Sequence, residues 1–311
     1  MSLALSTMYF QRWADQRDLA PFFALAREIG FERFELSHIL SPDAVATVDP
    51  RRVTISAVHH PCPLAADHDP SDRLTSADPA ARARAAAGIG RTIDTAARLG
   101  ASAVVVHLGY VEDTSDQALW RLRFEVDSRF LAGQGGTAAY VEAVDRLNAF
   151  LAEREPAHLE RGLDALPAVL ARARARGVRI GLETGYHAHE LPGPAGMRGL
   201  LDALGDTTCG AWLDTGHVGA QVHLGRVTFD DWFEAVAGHW IGAHVHDIVG
   251  LRDHLVPGIG ALDFAALAAQ LPAGIVRTCE VDWYFSPAEV AAGVGHLRAT
   301  GWAGGVTGMD R

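Results

Sequence analysis

Residues 178–217 read VRIGLETGYHAHELPGPAGMRGLLDALGDTTCGAWLDTGH, and this stretch decides the fold. Residues 178–183 and 210–214 are short apolar runs, each ending on a carboxylate, Glu183 or Asp214; between them residues 195–204 carry apolar side chains at helical spacing. Runs of this kind, with little polar alternation, suit strands buried on both faces, and strand–helix–strand is the unit of a parallel sheet. The unit repeats outward. Further strands are expected at residues 3–9, 31–37, 53–59, 103–107, 241–246 and 275–281, with helices at 18–29, 79–99, 158–176, 229–237, 264–271 and 287–299. Eight strands with intervening helices predict an α/β fold, a closed (β/α)8 barrel forming one domain over residues 1–311. An open doubly wound sheet would instead place a glycine-rich dinucleotide turn after the first strand, and no such turn follows residues 3–9.

The connection after the fourth strand is too long for a simple crossover. Residues 114–131 and 137–153 read as two further helices separated by Gly133, Gly135 and Gly136, so residues 112–157 are expected to form an inserted helical hairpin after strand 4, before a barrel helix that begins near His158. A substrate lid and a packing or dimer contact are both open readings, with Trp120, Arg121, Arg123 and Phe124 as the lid candidates.

Composition narrows the chemistry. All 27 basic residues are arginine, against 38 acidic residues, and there is no lysine. Schiff-base chemistry, pyridoxal-phosphate attachment and the lysine-centred phosphate loop are thereby excluded. The formal charge of −11 argues against non-specific nucleic-acid binding. Cys62, Cys209 and Cys279 are far apart, which offers no disulfide framework or cysteine zinc site and suits a reducing compartment. With neither a basic leader nor a membrane-length apolar run, a soluble cytoplasmic protein is expected, with a homo-oligomer open.

The 15 histidines point to metals or acid–base work. Polar, metal-competent residues stand at the ends of the strands: His59 and His60, His107, Glu183, Asp214, His244 and His246, and Glu280. In a barrel of this kind the strand ends converge on one mouth. One such residue alone reads as a helix cap or a satisfied core histidine. Together, several carboxylates and imidazoles without a lysine or arginine among them call for a neutralising divalent cation.

The ordered motifs HHP, HLG, LETG, LDTGH, HVHD, DHLVPGIGALDF and CEVDW resemble the xylose isomerase-like barrel superfamily, which includes sugar isomerases and epimerases and endonuclease IV-like repair enzymes. The resemblance spans nearly the whole chain outside the insertion. It implies a metal set of Glu183, Asp214, His244 and Glu280, with His244 favoured over His246 because Asp247 follows at the third position. His59 and His107 match positions used for an additional metal, so one or two divalent ions (Mn, Co, Mg or Zn) per chain are implied. His217, His246, Arg252, His254 and Trp120 are the expected substrate contacts. The sequence also departs from the family. Arg252 falls where a third metal of the repair enzymes would have a ligand, Gly250 stands where ketose 3-epimerases carry an arginine, and the lysine of xylose isomerases is missing.

Two mechanisms fit that set. A metal-dependent isomerase or epimerase of a sugar, sugar phosphate or polyol would transfer a proton next to a carbonyl, with Glu183 and Glu280 as acid and base. The alternative is an endonuclease IV-like zinc phosphodiesterase acting on abasic DNA, which the acidic charge disfavours. A non-catalytic barrel would need neither glutamate. Arg121, Arg123 and Arg252 are the candidates for a substrate phosphate or carboxylate.

Overall fold

A computed structural model describes residues 3–12, 17–113 and 116–302, so Thr114 and Ser115 of the expected first insertion helix lie outside the described residues. Eight parallel strands close a barrel: β1 (Ala4–Ser6), β2 (Arg33–Leu36), β3 (Thr54–His59), β4 (Ala103–Val106), β5 (Arg179–Glu183), β6 (Cys209–Asp214), β7 (Trp240–Val245) and β8 (Val276–Cys279). Each pairs with its sequence neighbours, and β1 closes the ring against β8. This is the expected (β/α)8 architecture.

The helices are α1 (Ala20–Ile29), α2 (Pro42–Ala46), α3 (Pro79–Leu99), α4 (Ala118–Leu131), α5 (Ala138–Arg176), α6 (Pro194–Leu204), α7 (Thr215–His223), α8 (Phe229–Ala235), α9 (Phe264–Gln270) and α10 (Pro287–Ala299). Local chemistry sets many of their ends. Asp78 caps α3 by accepting from the amides of Ala80 and Ala81, Pro79 occupies the first turn, and Gly100 ends the helix in the left-handed conformation at φ 73°. Ser286 and Glu289 form a reciprocal capping box on α10, as Thr228 and Asp231 do on α8.

The interval between β4 and β5 corrects one expectation. Residues 137–153 and 158–176 are not two helices, because α5 runs unbroken for 39 residues through Pro156 and Pro167. Both prolines lie on its exposed side, where water can take the carbonyls they leave unpaired. Burial secures both halves: Leu166, Val169 and Leu170 join the main core, while Tyr140, Val144, Leu147 and Leu151 form a second core with Leu119 and Val126 of α4. Across about eleven turns this contact outweighs the ~3 kcal/mol that an interior proline costs. The short helix α7, which the sequence reading did not anticipate, starts directly from β6, with Asp214 as its cap.

Inside the barrel, Trp212 is fully buried with Ala57, Ala103, Val105 and Ile241. Two glycines make room for its indole. A Cβ on Gly181 of β5 would lie 2.7 Å from the ring, and one on Gly242 of β7 would lie 2.0 Å from it. Trp212 meets His244 edge-on at 5.3 Å between ring centroids and so forms the floor of the barrel mouth. Irregular register flanks this floor, between Phe34 and Glu35 on the β2–β3 pair and between Ala211 and Trp212 on the β6–β7 pair. Such bulges re-aim side chains, and the first accompanies Glu35 as it turns inward.

Candidate metal centre and cavity

Ligand atoms of Glu183, Asp214, His244 and Glu280 lie within 4.8 Å of one another, from the ends of β5 to β8. His244 is the hub. Its Nδ1 is 2.7 Å from Glu183 Oε1, 3.1 Å from Glu280 Oε2 and 3.6 Å from Asp214 Oδ2. Its Nε2 faces Glu35 Oε1 at 2.8 Å, and Glu35 Oε2 accepts from the Thr278 hydroxyl at 2.9 Å. Glu35 was missed from sequence, because it shares a short run with Glu32 and Arg33 and nothing in that run singles it out.

Glu183 is approached from both sides. While Oε1 meets His244, Oε2 lies 3.0 Å from His59 Nε2 and 3.1 Å from His107 Nε2. The outer nitrogens are fixed by the backbone: His59 Nδ1–H donates to the His60 carbonyl at 2.8 Å, and His217 Nδ1–H to the Thr184 carbonyl at 3.0 Å. Once its proton is displaced, the other nitrogen of each ring is the one that would meet a cation. His246 differs. Its Nδ1 accepts the His254 backbone N–H at 2.8 Å, so its proton sits on Nε2 and is donated to Asp214 Oδ1 at 2.8 Å. His244 thus turns Nδ1 to the carboxylates, whereas both His246 nitrogens are taken by Asp214 and the His254 backbone.

The charges explain one another. Burial would push the Glu183 carboxyl up, but His107 and His244 outweigh it and hold the group well below the usual range. Asp214 is likewise held low against burial by His217 and His246. Burial works against the charged form of His59, yet its bond to Glu183 and that group's charge raise it to about 9. Glu35, Glu183, Asp214 and Glu280 are each no more than 3% exposed, and buried carboxylates at this density call for cationic partners, which without a metal only the raised His59, His217, His244 and His246 rings provide. A divalent cation fits this donor set of carboxylate oxygen and imidazole nitrogen, which suits Mg, Mn, Co or Zn.

His217, His246 and His254 form a further grouping. Here Arg252 is corrected as a site residue. Its side chain is exposed and lies over the Tyr284 ring, 5.1 Å from the centroid, because position 252 faces outward in the hairpin of Asp247–Val249 and Arg252–Leu255. Asp253 turns inward instead, with Oδ2 3.8 Å from His217 Nε2 and 3.7 Å from His254 Nε2. His254 adopts φ 52°, a left-handed conformation rare for a side chain of its size, and stacks on His246 at 4.2 Å. Asp247 holds the next turn by accepting from the amides of Gly258, Gly260 and Leu262 at 2.8–3.2 Å, while Asp263 caps α9 through Ala266.

A cavity of about 720 Å³ opens from the His59 and His107 edge of the cluster towards α4, a volume ordinary for a small-molecule site. Of the expected substrate contacts, Trp120 lines it; His217, His246, Arg252 and His254 do not. Residues that the sequence reading passed over line it too, among them His38, Arg73, Tyr110, His187 and Glu190. Burial lowers His38 to about 4 and His60 to about 3, so both are neutral donors or acceptors at neutral pH.

The family model for xylose isomerase-like TIM barrels matches residues 23–300, and the chain belongs to that family. Among solved structures, a D-tagatose 3-epimerase-like protein is 19% identical with a TM-score of 0.65, covering 96% of this chain and 97% of its own. An L-ribulose 3-epimerase is 18% identical (TM-score 0.66; 97% and 94% covered), and a xylose isomerase homologue from Rhodospirillum rubrum is 15% identical (TM-score 0.68; 96% and 99% covered). At these identities the likeness is one of fold. No curated protein matches the chain significantly. No described helix is long and apolar enough to cross a membrane.

Proposed function

We propose that the protein is a metal-dependent sugar isomerase or epimerase that moves a proton at a carbon next to a carbonyl. The observation that carries this reading is the pair of buried glutamates, Glu183 and Glu280, from strands separated by β6 and β7, both facing His244 Nδ1 within 3.1 Å. Glu183, Asp214, His244 and Glu280 would hold one divalent ion, and His59 and His107 with Glu183 a second. Bound there, the ion would polarise a chelated carbonyl and hydroxyl and acidify the C–H bond between them.

The residues divide the remaining work. Ser6 Oγ donates to Glu280 Oε1 at 3.1 Å, which fixes that carboxylate and leaves Oε2 turned to the cluster. Burial tends to raise Glu280, but His244, followed by His254 and His59, keeps it below its ordinary range and therefore ionised, the form a base requires. One glutamate removes the proton and the other returns it, to the opposite face for epimerisation or to the neighbouring carbon for isomerisation. Helix α4 would cover the mouth: Trp120, 62% exposed, lines the cavity, and a bound sugar could pack on its ring.

Solvent-deuterium exchange into a panel of ketoses tests the scheme. Glu183→Gln and Glu280→Gln should each lose exchange by ~10²–10⁴-fold while keeping the wild-type circular dichroism spectrum. Exchange retained in either folded variant would overturn the two-base scheme. The phosphodiesterase reading draws on one observation, that Glu183 is contacted on both oxygens and could bridge two ions; zinc-dependent, chelator-sensitive incision of an abasic duplex would establish it.

A further inference from the structure

Arg123 and Arg73 both line the cavity, and among the described residues neither guanidinium is met directly by a carboxylate. Arg123 is 9% exposed, with its guanidinium 5.1 Å from the Trp120 ring centroid. It donates to His187 Nδ1 at 2.9 Å and lies 3.5 Å from His189 Nε2. Arg73 sits 5.0 Å from the Tyr110 ring centroid and donates to the carbonyl of Asp72 at 2.9 Å. Tyr110 and His189, with ring centroids 5.4 Å apart, connect the two arginines. Among the described residues, no carboxylate forms an ion pair with either guanidinium.

The acids that line the same cavity make their direct contacts elsewhere, although Glu190 and Asp113 still act on Arg123 through space. Asp72 takes two bonds from Arg84 at 2.8 and 3.1 Å through Oδ1 and one at 3.0 Å through Oδ2. Asp113 accepts the amides of Leu119 and Trp120 at 2.9 and 3.2 Å, and Glu190 accepts those of Tyr186 and His187 at 2.7 and 3.2 Å. Asp127, one turn along α4, supplies the strongest of these through-space charges on Arg123, but it forms no ion pair with it and does not line the cavity. A buried guanidinium held by aromatic faces and neutral acceptors is costly unless a partner arrives.

We infer that Arg123 and Arg73 receive an anionic group, a carboxylate or a phosphate, at the end of the substrate remote from its reacting carbonyl. The inference rests on the proposed sugar chemistry for the identity of the remainder of the molecule, but the anion site itself does not depend on turnover. The substrate class is then a sugar acid or sugar phosphate rather than a neutral sugar. A guanidinium pair suits either anion through paired N–H donors, and the aromatic rings behind the arginines hold them at one orientation.

Equilibrium titration of chelator-treated protein separates this inference from the catalytic one, because it reads binding without turnover. The probes are D-fructose, D-fructose 6-phosphate and a hexuronate in its keto form. One of the two anions should bind at least tenfold more tightly than fructose, and which one does identifies the group as phosphate or carboxylate. Arg123→Met should lower that anion-to-neutral ratio by roughly ten- to a hundredfold, the worth of a charge-assisted bond, with Arg123→Lys restoring part of it. If Arg123→Met does not fold, Arg73→Met, at a less buried position, should lower the ratio in the same sense. Equal binding of fructose and both anions, or a ratio unchanged in the folded arginine variants, would overturn the inference. Anion preference without deuterium exchange would leave it standing and remove the proposed reaction instead.

Discussion

Replacing Glu35 should weaken metal binding although Glu35 is outside the four-residue ligand set. His244 is held at both nitrogens, and the 2.8 Å contact from Nε2 to Glu35 fixes the direction in which Nδ1 faces the cluster. It is a carboxylate–histidine pair behind a candidate metal ligand, a relation whose loss typically costs ~10–100-fold in metal affinity. Glu35→Gln keeps the volume and an acceptor oxygen but exchanges a charge-assisted bond for a neutral one about half as strong, so about 1 kcal/mol, or roughly fivefold, should be lost. Glu35→Ala should fall at the ~100-fold end, because it also leaves the buried Thr278 hydroxyl without its acceptor at 2.9 Å. Competition for Mn²⁺ or Zn²⁺ against a calibrated chelator gives both constants, and thermal melts of the metal-free proteins check folding. Wild-type affinity, within about twofold, in a folded Glu35→Ala protein would refute the positioning role.

Three further outcomes follow from the packing and the site. Gly242→Ala should destabilise the barrel by ~3 kcal/mol or more, since the added methyl would stand 2.0 Å from Trp212; a melting temperature unchanged in this variant would contradict that packing. Asp247→Ala removes the acceptor of the Gly258, Gly260 and Leu262 amides, and faster hydrogen exchange at those positions is expected; unchanged protection would show that another group holds the turn. His246→Ala should lower metal affinity less than His244→Ala, because His246 reaches the cluster only through Asp214; the reverse order in the chelator competition would exchange their assignments.

The barrel was legible in the sequence because fully buried strands leave unbroken apolar runs, and the mouth was legible because polar residues interrupt those runs at their C-terminal ends. Glu183, Asp214, His244 and Glu280 could be found in this way. Glu35 could not: the β2–β3 register shifts between Phe34 and Glu35 because β3 carries the extra residue Ser56, and an acid between Phe34 and Leu36 does not reveal from sequence which way it points. A break was expected between residues 153 and 158 because propensity is local, whereas the burial that keeps α5 continuous depends on partners in α4 and the barrel. Arg252 and Asp253 are adjacent in sequence, and only the hairpin register with the left-handed turn at His254 determines that the acid, not the arginine, faces the histidines. Arg73 carried no signal at all, since its relation to Arg123 exists only across Tyr110 and His189 in the folded chain.

The central claim is that the buried carboxylates of the mouth hold a divalent cation. Elemental analysis of freshly purified protein, repeated on the Asp214→Asn and His244→Ala variants, tests it most directly. One or two equivalents of a divalent metal per chain are expected in the wild type, removable by chelator and reduced by at least one equivalent in both variants. Substoichiometric metal in the wild type after incubation with Mn²⁺, Co²⁺, Mg²⁺ and Zn²⁺ in turn, or an equal content in all three folded proteins, would contradict it.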